Sequence, residues 1–400
     1  MVVAAGAWQV PLISFFQSKG HNVTVVDPYT DSPGTKIADL HIQEDVRDEN
    51  KIFEATKDMS FEFIVTDQSD ISVETCNNLA LRRGLPANKP EAVKLFVNKF
   101  HSREYSDRCG MPVPKWRKVA TFEQLQEALK DIGLPAILKP PDNQASCGIY
   151  KVDQDNISSA EELLNKSLSQ SRTGYILCEE FVEGEHITVE GICSDGMHRS
   201  LASSTKSHFP NGVIAKLLYP TTVPAPLLEK LFQANDKYVR ESGLAFGITH
   251  AEYIVDVKNG RFWLVEIACR GGGTLLSSDI AKWVSGVNLY EIYYDELHGR
   301  HTDLSKLELT RRGAYLEFVD FGEGHVEEIA GVEEALQIPG VLTLRLSFKA
   351  GDNVKHAENG RTRQGFFIVF GETHADVLKI AEQVHKTVKV KLSVPQEAKV

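Results

Sequence analysis

HAEYIVDVKNGRFWLVEIACRGGG, at residues 250–273, is the stretch that decides the fold of this 400-residue sequence. Its apolar runs 250–257 and 261–267 are separated by Lys-Asn-Gly, and Asn-Gly between such runs is the strongest short-range signal for a β-hairpin. Glu252 and Glu266 stand at equal offsets from the Asn of the turn, which predicts that both side chains project from one face. Magnesium takes oxygen ligands and usually shares them with substrate phosphates, so the two carboxylates predict a metal site. Two solvated acids on an exposed sheet face are the alternative.

The glycine-rich turn after the hairpin adds an anion-binding pattern. Arg270 precedes three glycines, which include Gly272 and Gly273, and a helical segment follows at 279–284. Glycines allow close backbone approach, a helix N-terminus offers unpaired N–H groups, and the arginine fork suits phosphate or carboxylate. The pattern predicts that these residues bind a substrate or a transferring phosphate. A flexible surface loop is the alternative.

The N-terminal part alternates strand and helix. Apolar runs at 2–5, 21–26 and 61–66 predict a parallel, Rossmann-like domain over 1–90, with ligands at the carboxyl ends of its strands. Asp27 stands at such an end. The AAGAWQ turn lacks the glycines of a dinucleotide site, so an Asp that caps its own turn is the favoured interpretation.

A β-rich unit follows a linker with helices at 91–114. Residues 115–195 predict a small α+β lid, in which Thr121 caps a helix and PAILKP forms a strand that ends at Lys139. A loop of small residues at 144–148 suits the covering of a phosphate. The remaining divisions are a core with the hairpin, a C-terminal α+β part of that core and a polar tail: 196–310, 311–392 and 393–400.

Composition and charge narrow the class of protein. The net charge of −11 argues against a general nucleic-acid binder, and six scattered cysteines without a CxxC pair indicate a reducing compartment. The apolar start lacks a basic region, a cleavage site and the length of a membrane span. We therefore expect a cytoplasmic enzyme that uses neither nucleic acid nor membrane, with a homodimer as an open arrangement.

Five segments, taken in order, resemble the ATP-grasp superfamily over nearly the whole chain. They are NK at 98–99, PAILKP at 135–140, EEFVEGE at 179–185, HAEYIVD at 250–256 and VEIACRGGG at 265–273. GAWQVPLI at 6–13 and DQSDISV at 67–73 resemble the N-terminal domain of its carboxylate–amine ligases. The resemblance implies an α/β plus α+β architecture: a Rossmann-like N-terminal domain, a small lid and a central antiparallel-sheet domain.

The same resemblance implies ATP and Mg²⁺ (or Mn²⁺) as cofactors. Lys99 and Lys139 would contact the phosphates, and Glu179 would accept from the adenine amino group. Glu180 and Val182 would offer backbone contacts. Glu185 would bind the ribose. With Ser146 of the small-residue loop, the implied ATP-binding set is Lys99, Lys139, Ser146, Glu179, Glu180, Val182 and Glu185.

The implied reaction joins a small-molecule carboxylate to an amine through an acyl phosphate, as in amino-acid ligases that form dipeptides. Glu252 and Glu266 would hold the metal, while Arg270 and Lys139 would be catalytic. Arg270, Gly272, Gly273 and Lys216 would bind the substrates. Two alternatives stay open: a bicarbonate-using ATP-grasp carboxylase, as in purine biosynthesis or biotin carboxylation, and a nucleotide-binding protein without catalysis.

Two departures from the family pattern qualify these roles. Ala268 stands where the family often has an asparagine near the metal, so one magnesium is expected rather than two. Lys216 stands where amino-acid ligases often carry an acidic residue near a substrate amine. A cation there suits a substrate carboxylate better than an amine.

Overall fold

A computed structural model describes residues 1–143 and 147–393, and within these ranges the strands form four sheets. Ser146, in the loop expected to cover a phosphate, lies outside the described residues, as does most of the polar tail. Among the residues that are described, no helix combines the length and the apolar character that crossing a membrane requires.

The N-terminal unit confirms the predicted parallel sheet. Its elements are β1 Val2–Val3, α1 Val10–Ser18, β2 Thr24–Val26, β3 Leu40–Ile42, α2 Glu49–Ala55 and α3 Asp70–Arg82. The strands lie in the order β1-β2-β3. The strand expected at 61–66 is reduced to a single parallel bridge between Val2 and Val65, because β1 is only two residues long and offers no longer ladder.

Asp27 caps its own turn, as the sequence favoured. Its buried carboxylate accepts the backbone N–H groups of Ala5 (2.9 Å) and Tyr29 (3.0 Å) and the hydroxyl of Ser32 (2.8 Å). Three donors from the surrounding loops thus satisfy the carboxylate, which is the role of a structural residue.

The small lid is an antiparallel sheet covered by two helices. After the linking helices α4 Pro90–Val97 and α5 Lys99–Cys109, its elements are β4 Trp116–Val119, α6 Phe122–Ile132, β5 Ala136–Lys139, β6 Tyr150–Val152, α7 Ala160–Ser169 and β7 Ile176–Glu180. Their order is β4-β7-β5-β6. Thr121 caps α6 as predicted, in a reciprocal capping box with Gln124.

The rest of the chain supplies a large sheet and its helices. The elements are β8 Glu185–Ser194, β9 Met197–His208, β10 Ile214–Tyr219, α8 Ala225–Glu241, β11 Gly247–Asp256, β12 Arg261–Ala268, α9 Ala281–Ser285, α10 Leu289–Leu297, β13 Gly313–Phe318, β14 Gly324–Ala330, α11 Val332–Leu336, β15 Val341–Leu346, β16 Asn353–Val354, β17 Gly365–Gly371, α12 His374–Thr387 and β18 Lys389–Ser393. Eight strands form one antiparallel sheet in the order β12-β11-β8-β9-β10-β13-β17-β15, and β16-β14-β18 form a small one.

The lid is shorter than the 115–195 expected from the sequence. β8 pairs with β9 and β11 in the large sheet, so the lid sheet ends at Glu180. Residues 187–194 of β8 are all buried, as befits a central strand covered on both faces. The segment between β7 and β8 therefore connects the lid sheet to the large sheet.

One hydrophobic core ties the N-terminal unit to the large sheet. Leu12 and Ile13 of α1 pack with Ile192 of β8, Ile248 of β11 and Leu289 of α10, and all five are buried. Burying one such side chain contributes about 1.5–3 kcal/mol. This shared core holds the turn that precedes α3 against the glycine segment that follows β12.

Candidate functional site

Glu252 and Glu266 face each other across the hairpin β11–β12 as direct cross-strand partners. The equal offsets predicted this pairing, but a β-bulge after Glu252 produces it. The turn pairs Asp256 with Arg261, and in that register Glu252 would oppose Val265. The bulge shifts the register by one residue and brings the two carboxylates together, as bulges beside functional sites often do.

Each of these carboxylates forms an ion pair with a lysine. Lys99 Nζ lies 2.9 Å from Glu266 Oε1 and also donates to the Asn143 carbonyl at 2.7 Å. Lys206 Nζ lies 2.7 Å from Glu252 Oε2, and its side chain is only 3% exposed. The sequence analysis did not single out Lys206. The available signal was a lysine within a run of small residues, ASSTKS at 202–207.

The charges hold Glu252 ionised. Burial would raise the pKa of Glu252, but the Lys206 ammonium and the hydrogen bond from His250 outweigh burial and keep this pKa well below its ordinary value. Burial would also lower the pKa of His250, but Glu190, 2.9 Å away, outweighs it and raises the pKa to about 9. His250 is therefore a cation at neutral pH.

A second charge cluster joins the lid to α5. Glu179 of β7 accepts from Arg103 Nε at 2.8 Å and lies 2.6 Å from Lys139 Nζ at the end of β5. All three side chains are buried. Burial lowers the pKa of Lys139 to about 8, against the opposing effect of Glu179. The carboxylate predicted to meet adenine is thus already bound by two cations.

A cavity of about 280 Å³ lies between the lid sheet and the large sheet, and we call it the lid cavity. Apolar side chains such as Ile149, Phe181 and Ile254 line part of its wall. The predicted residues that it brings together are Lys99, Lys139, Glu179, Glu180, Val182, Glu252 and Glu266. Glu185 is not among its described lining residues: it is exposed at the start of β8 and accepts from Thr222 Oγ1 at 3.3 Å.

Arg270 lies beyond the hairpin and is held by Asp70 at the start of α3. Arg270 Nε donates to Asp70 Oδ1 at 2.8 Å, Nη2 donates to Oδ2 at 2.7 Å, and Nη1 donates to the Gly271 carbonyl at 2.9 Å. Of the five guanidinium N–H groups, three are used in these bonds and two have no partner in the described part of the chain. The fork is therefore preoriented and still able to bind an anion.

The glycines after Arg270 serve close packing. A Cβ on Gly271 would lie 2.2 Å from the Ser277 side chain, and one on Gly272 would lie 2.6 Å from Leu276 Cδ1. A Cβ on Gly273 would meet nothing within 4 Å. The helical segment that follows begins as a five-residue π-helical turn, Leu276–Ile280, and not as the regular helix N-terminus that was expected.

Beside Arg270 opens a second cavity of about 560 Å³, the glycine-loop cavity. It lies between the N-terminal unit and the C-terminal strands of the large sheet. Its described lining includes Trp8, Gln68, His250, Glu252, Arg270, Gly273, Arg345, Arg361 and Arg363. Glu252 lines both cavities.

Lys216 is not among the described residues that line either cavity. It is 45% exposed on β10, and its ammonium lies 3.4 Å from Glu317 Oε1. The tertiary structure therefore does not bring this substrate-binding candidate to the site. Besides Arg270 and His250, β15 and the segment before β17 supply the cations that line the described part of the glycine-loop cavity.

The donor set at the hairpin suits one magnesium ion. Among the described residues, no group of three or more His, Cys, Asp and Glu is arranged to enclose a metal. Two adjacent, partly exposed carboxylates on a cavity with Lys99 and Lys139 instead match a hard cation that takes its other ligands from phosphates and water. Ala268, directly after β12's Ile267, adds no oxygen ligand from its side chain.

Two parts of the chain match known families. Residues 132–279 match a model described as an ATP-grasp domain, and residues 318–393 match one described as L-amino acid ligase C-terminal domain 2. The first range contains the lid cavity residues from Lys139 to Glu266. The second contains three arginines of the glycine-loop cavity.

Curated relatives of two different activities match most of the chain. Alanine–anticapsin ligase of Bacillus amyloliquefaciens is 26% identical over 347 residues, which cover 78% of this chain and 73% of the relative. Formate-dependent phosphoribosylglycinamide formyltransferase of Sulfurisphaera tokodaii is 24% identical over 387 residues, covering 94% and 92%. The crystal structure of L-amino acid ligase from Bacillus licheniformis is similar in fold, with a TM-score of 0.80 at 17% identity over 98% of each chain.

Proposed function

This chain contains an ATP-grasp domain and has the ATP-grasp fold, and from that premise we propose that it is an ATP-dependent carbon–nitrogen ligase. It joins a carboxylate to an amine, such as that of an amino acid, and releases ADP and phosphate. ATP-grasp enzymes use ATP with Mg²⁺ or Mn²⁺. The match of 318–393 to the C-terminal domain of L-amino acid ligases supports the amino-acid ligase subclass.

The observation that carries the proposal is that Glu252 lines both cavities. A nucleotide in the lid cavity and an acid in the glycine-loop cavity would then meet at the hairpin. Phosphoryl transfer depends on positioning and charge neutralisation more than on a protein nucleophile. Two cavities that meet at a pair of carboxylates and are lined by lysines and arginines fit that requirement.

On the nucleotide side, Lys99 and Lys139 would bind the phosphates. Both ammonium groups are held by carboxylates, with Lys99 on Glu266 and Lys139 on Glu179. When bound by Glu252 and Glu266, the metal ion would neutralise charge on the phosphates. With ATP bound, Lys99 would exchange the Glu266 carboxylate for a phosphate oxygen.

On the acid side, Arg270 would hold the reacting group. A carboxylate oxygen attacks the γ-phosphorus of ATP, the bond to the bridging oxygen breaks, and ADP leaves. The amine nitrogen then attacks the acyl carbon, the bond to phosphate breaks, and phosphate and one proton are released. The two free N–H groups of Arg270 would stabilise the acyl phosphate and the charge that develops on it.

The test is an acid-by-amine screen of the purified protein with ATP and magnesium, followed by the release of phosphate. We expect ADP and phosphate in equal amounts, with release that requires both an acid and an amine. Mass spectrometry of the product must show the acid and the amine joined with loss of water.

Two further arms separate the alternatives. Release that needs bicarbonate and no amine would favour a carboxylase, and release with formate alone would favour a formyl-phosphate chemistry. Tight magnesium-dependent ATP binding without turnover on any acceptor would indicate a nucleotide-binding protein. Each of these results contradicts the proposed amide synthesis.

A further inference from the structure

The described lining of the glycine-loop cavity has more positively than negatively charged side chains. Arg345, Arg361 and Arg363 line it, and none of them forms an ion pair with a carboxylate in the described part of the chain. Glu252 is the one carboxylate among the described lining residues, and Lys206 already lies 2.7 Å from it. The cavity therefore presents an excess of positive charge, which attracts anionic ligands.

Arg363 is placed so that its guanidinium edge can bind an anion. Its guanidinium stacks 3.5 Å from the centre of the Phe318 ring, which leaves the N–H groups at its edge free. Its Nε is buried without a hydrogen-bond partner among the described residues. Burial lowers its pKa to about 10, so it remains charged at neutral pH, and an unpaired buried donor of this kind is costly unless a ligand satisfies it.

Gln68 gives a second, independent indication of a ligand. It follows Asp67 in the turn before α3, is only 8% exposed and has a φ of 58°. Among the described residues, neither its Nε2 nor its Oε1 has a partner of good hydrogen-bond geometry: the Tyr290 hydroxyl lies close enough to interact with Gln68 but donates to Asp67 at 2.8 Å. Strained backbone and unsatisfied polar groups concentrate at binding sites.

We propose that the acid substrate carries a second anionic group, a carboxylate or a phosphate, which Arg345, Arg361 and Arg363 bind while Arg270 holds the reacting carboxylate. Gln68 binds a polar group between the two ends. The inference rests on the proposed ligase function. It extends that function by defining the acid as a dianion.

The same charges disfavour a neutral α-amino acid as the acid substrate. An α-ammonium group needs a carboxylate or several carbonyl acceptors. Glu252, the lining carboxylate, is paired with Lys206, and the three arginines of the second half of the lining add positive charge to the same cavity. An ammonium group in this cavity would be surrounded by like charges.

The experiment compares matched acids on the wild-type chain in the presence of ATP, magnesium and one mixture of amino acids as amines. Succinate is compared with butyrate, 3-phosphoglycerate with glycerate, and alanine serves as the neutral amino acid. Binding is measured by titration with a non-hydrolysable ATP analogue present, and turnover by phosphate release. We expect at least one dianion to bind about ten- to a hundred-fold more tightly than its matched monoanion.

Two variants locate the effect. Arg363→Gln should weaken binding of the dianion by about ten- to a hundredfold and binding of the monoanion much less, so that the preference for the dianion is lost. Arg345→Gln is a second variant in case the first does not fold. Arg300→Gln is the control, because Arg300 pairs with Asp295 on the surface and lines neither cavity.

The outcomes separate this inference from the proposed function. Equal binding of monoanions and dianions, or a preference that survives both arginine variants, overturns the inference even where an amide forms. An arginine-dependent preference without amine-dependent phosphate release supports the inference and contradicts the ligase. The succinate and phosphoglycerate arms show whether the second group is a carboxylate or a phosphate.

Discussion

The two cavities differ in how their charges are satisfied. In the lid cavity the cations are paired within the protein: Lys99 with Glu266, Lys139 with Glu179, and Lys206 with Glu252. In the glycine-loop cavity, Arg363 and Arg345 have no such partner among the described residues. A ligand in the first cavity must exchange existing ion pairs, which suits a nucleotide that brings its own cation. A ligand in the second can bind as a bare anion.

The difference also predicts which of the two cavities determines the choice of the acid substrate. Charges that are paired within the protein cost little to leave without a ligand, so the lid cavity is stable before a nucleotide binds. Unpaired buried donors favour only ligands that satisfy them. We therefore expect variants on the lid side to change turnover broadly and variants on the other side to change the choice of acid.

The largest effect is expected for Glu266→Gln. The change removes one of two facing carboxylates and the partner of Lys99, so kcat of the ligation should fall by about a thousandfold. Glu327→Gln is the control, since Glu327 forms a surface pair with Lys391. The measurement is steady-state phosphate release together with thermal unfolding. Unchanged turnover in a folded Glu266→Gln variant would exclude this pair from the reaction.

The second largest effect is expected for Asp70→Asn, which removes the carboxylate that binds the Arg270 guanidinium. Both side chains are largely buried, at 12% and 16% exposure, so loss of the carboxylate leaves a nearly buried cation without its counter-charge. We expect the free energy of unfolding to fall by about 3 kcal/mol. Asp295→Asn removes the exposed partner of Arg300 and should cost less than about 1 kcal/mol. Denaturant titration of both variants measures the contrast, and equal losses would contradict it.

Gly271→Ala and Gly273→Ala form a matched pair within one loop. The first places a Cβ 2.2 Å from Ser277, whereas the second places it in open space. Gly271→Ala should destabilise the protein by about 1–3 kcal/mol through overpacking, and Gly273→Ala should stay within about 0.5 kcal/mol. Thermal unfolding compares the two. A Gly273→Ala variant that folds normally but binds acids poorly would show that this open space belongs to the substrate.

The smallest effect is a pH dependence that comes from His250. Glu190 raises the pKa of His250 from 6.5 to about 9 despite burial, so the protonated ring stabilises the fold fully below pH 6.5 and loses that effect as the pH rises through 9. Between pH 7 and pH 8 the loss is about 1 kcal/mol. Wild type should therefore lose more stability than His250→Gln over this interval. Parallel curves for the two proteins would contradict a charged His250.

The success of the sequence analysis was uneven for a physical reason. Residues near each other along the chain could be placed, since Thr121 capped its helix and Asp27 its turn by local hydrogen bonds. Lys216 was misplaced, because which face of a strand meets a distant cavity depends on packing. Asp70 was not recognised as the partner of Arg270, since the two are 200 residues apart in sequence.

The sequence by itself determined the hairpin, the order of the ATP-grasp segments and the two carboxylates on β11 and β12. These follow from apolar periodicity, turn chemistry and motif order, all of which are local. The tertiary structure alone decided that a bulge sets Glu252 opposite Glu266, that β8 joins the large sheet, and that Arg345 and Arg363 line one cavity with Arg270. Those arrangements arise from strand pairing and packing between distant segments, where burial and charge must be satisfied together.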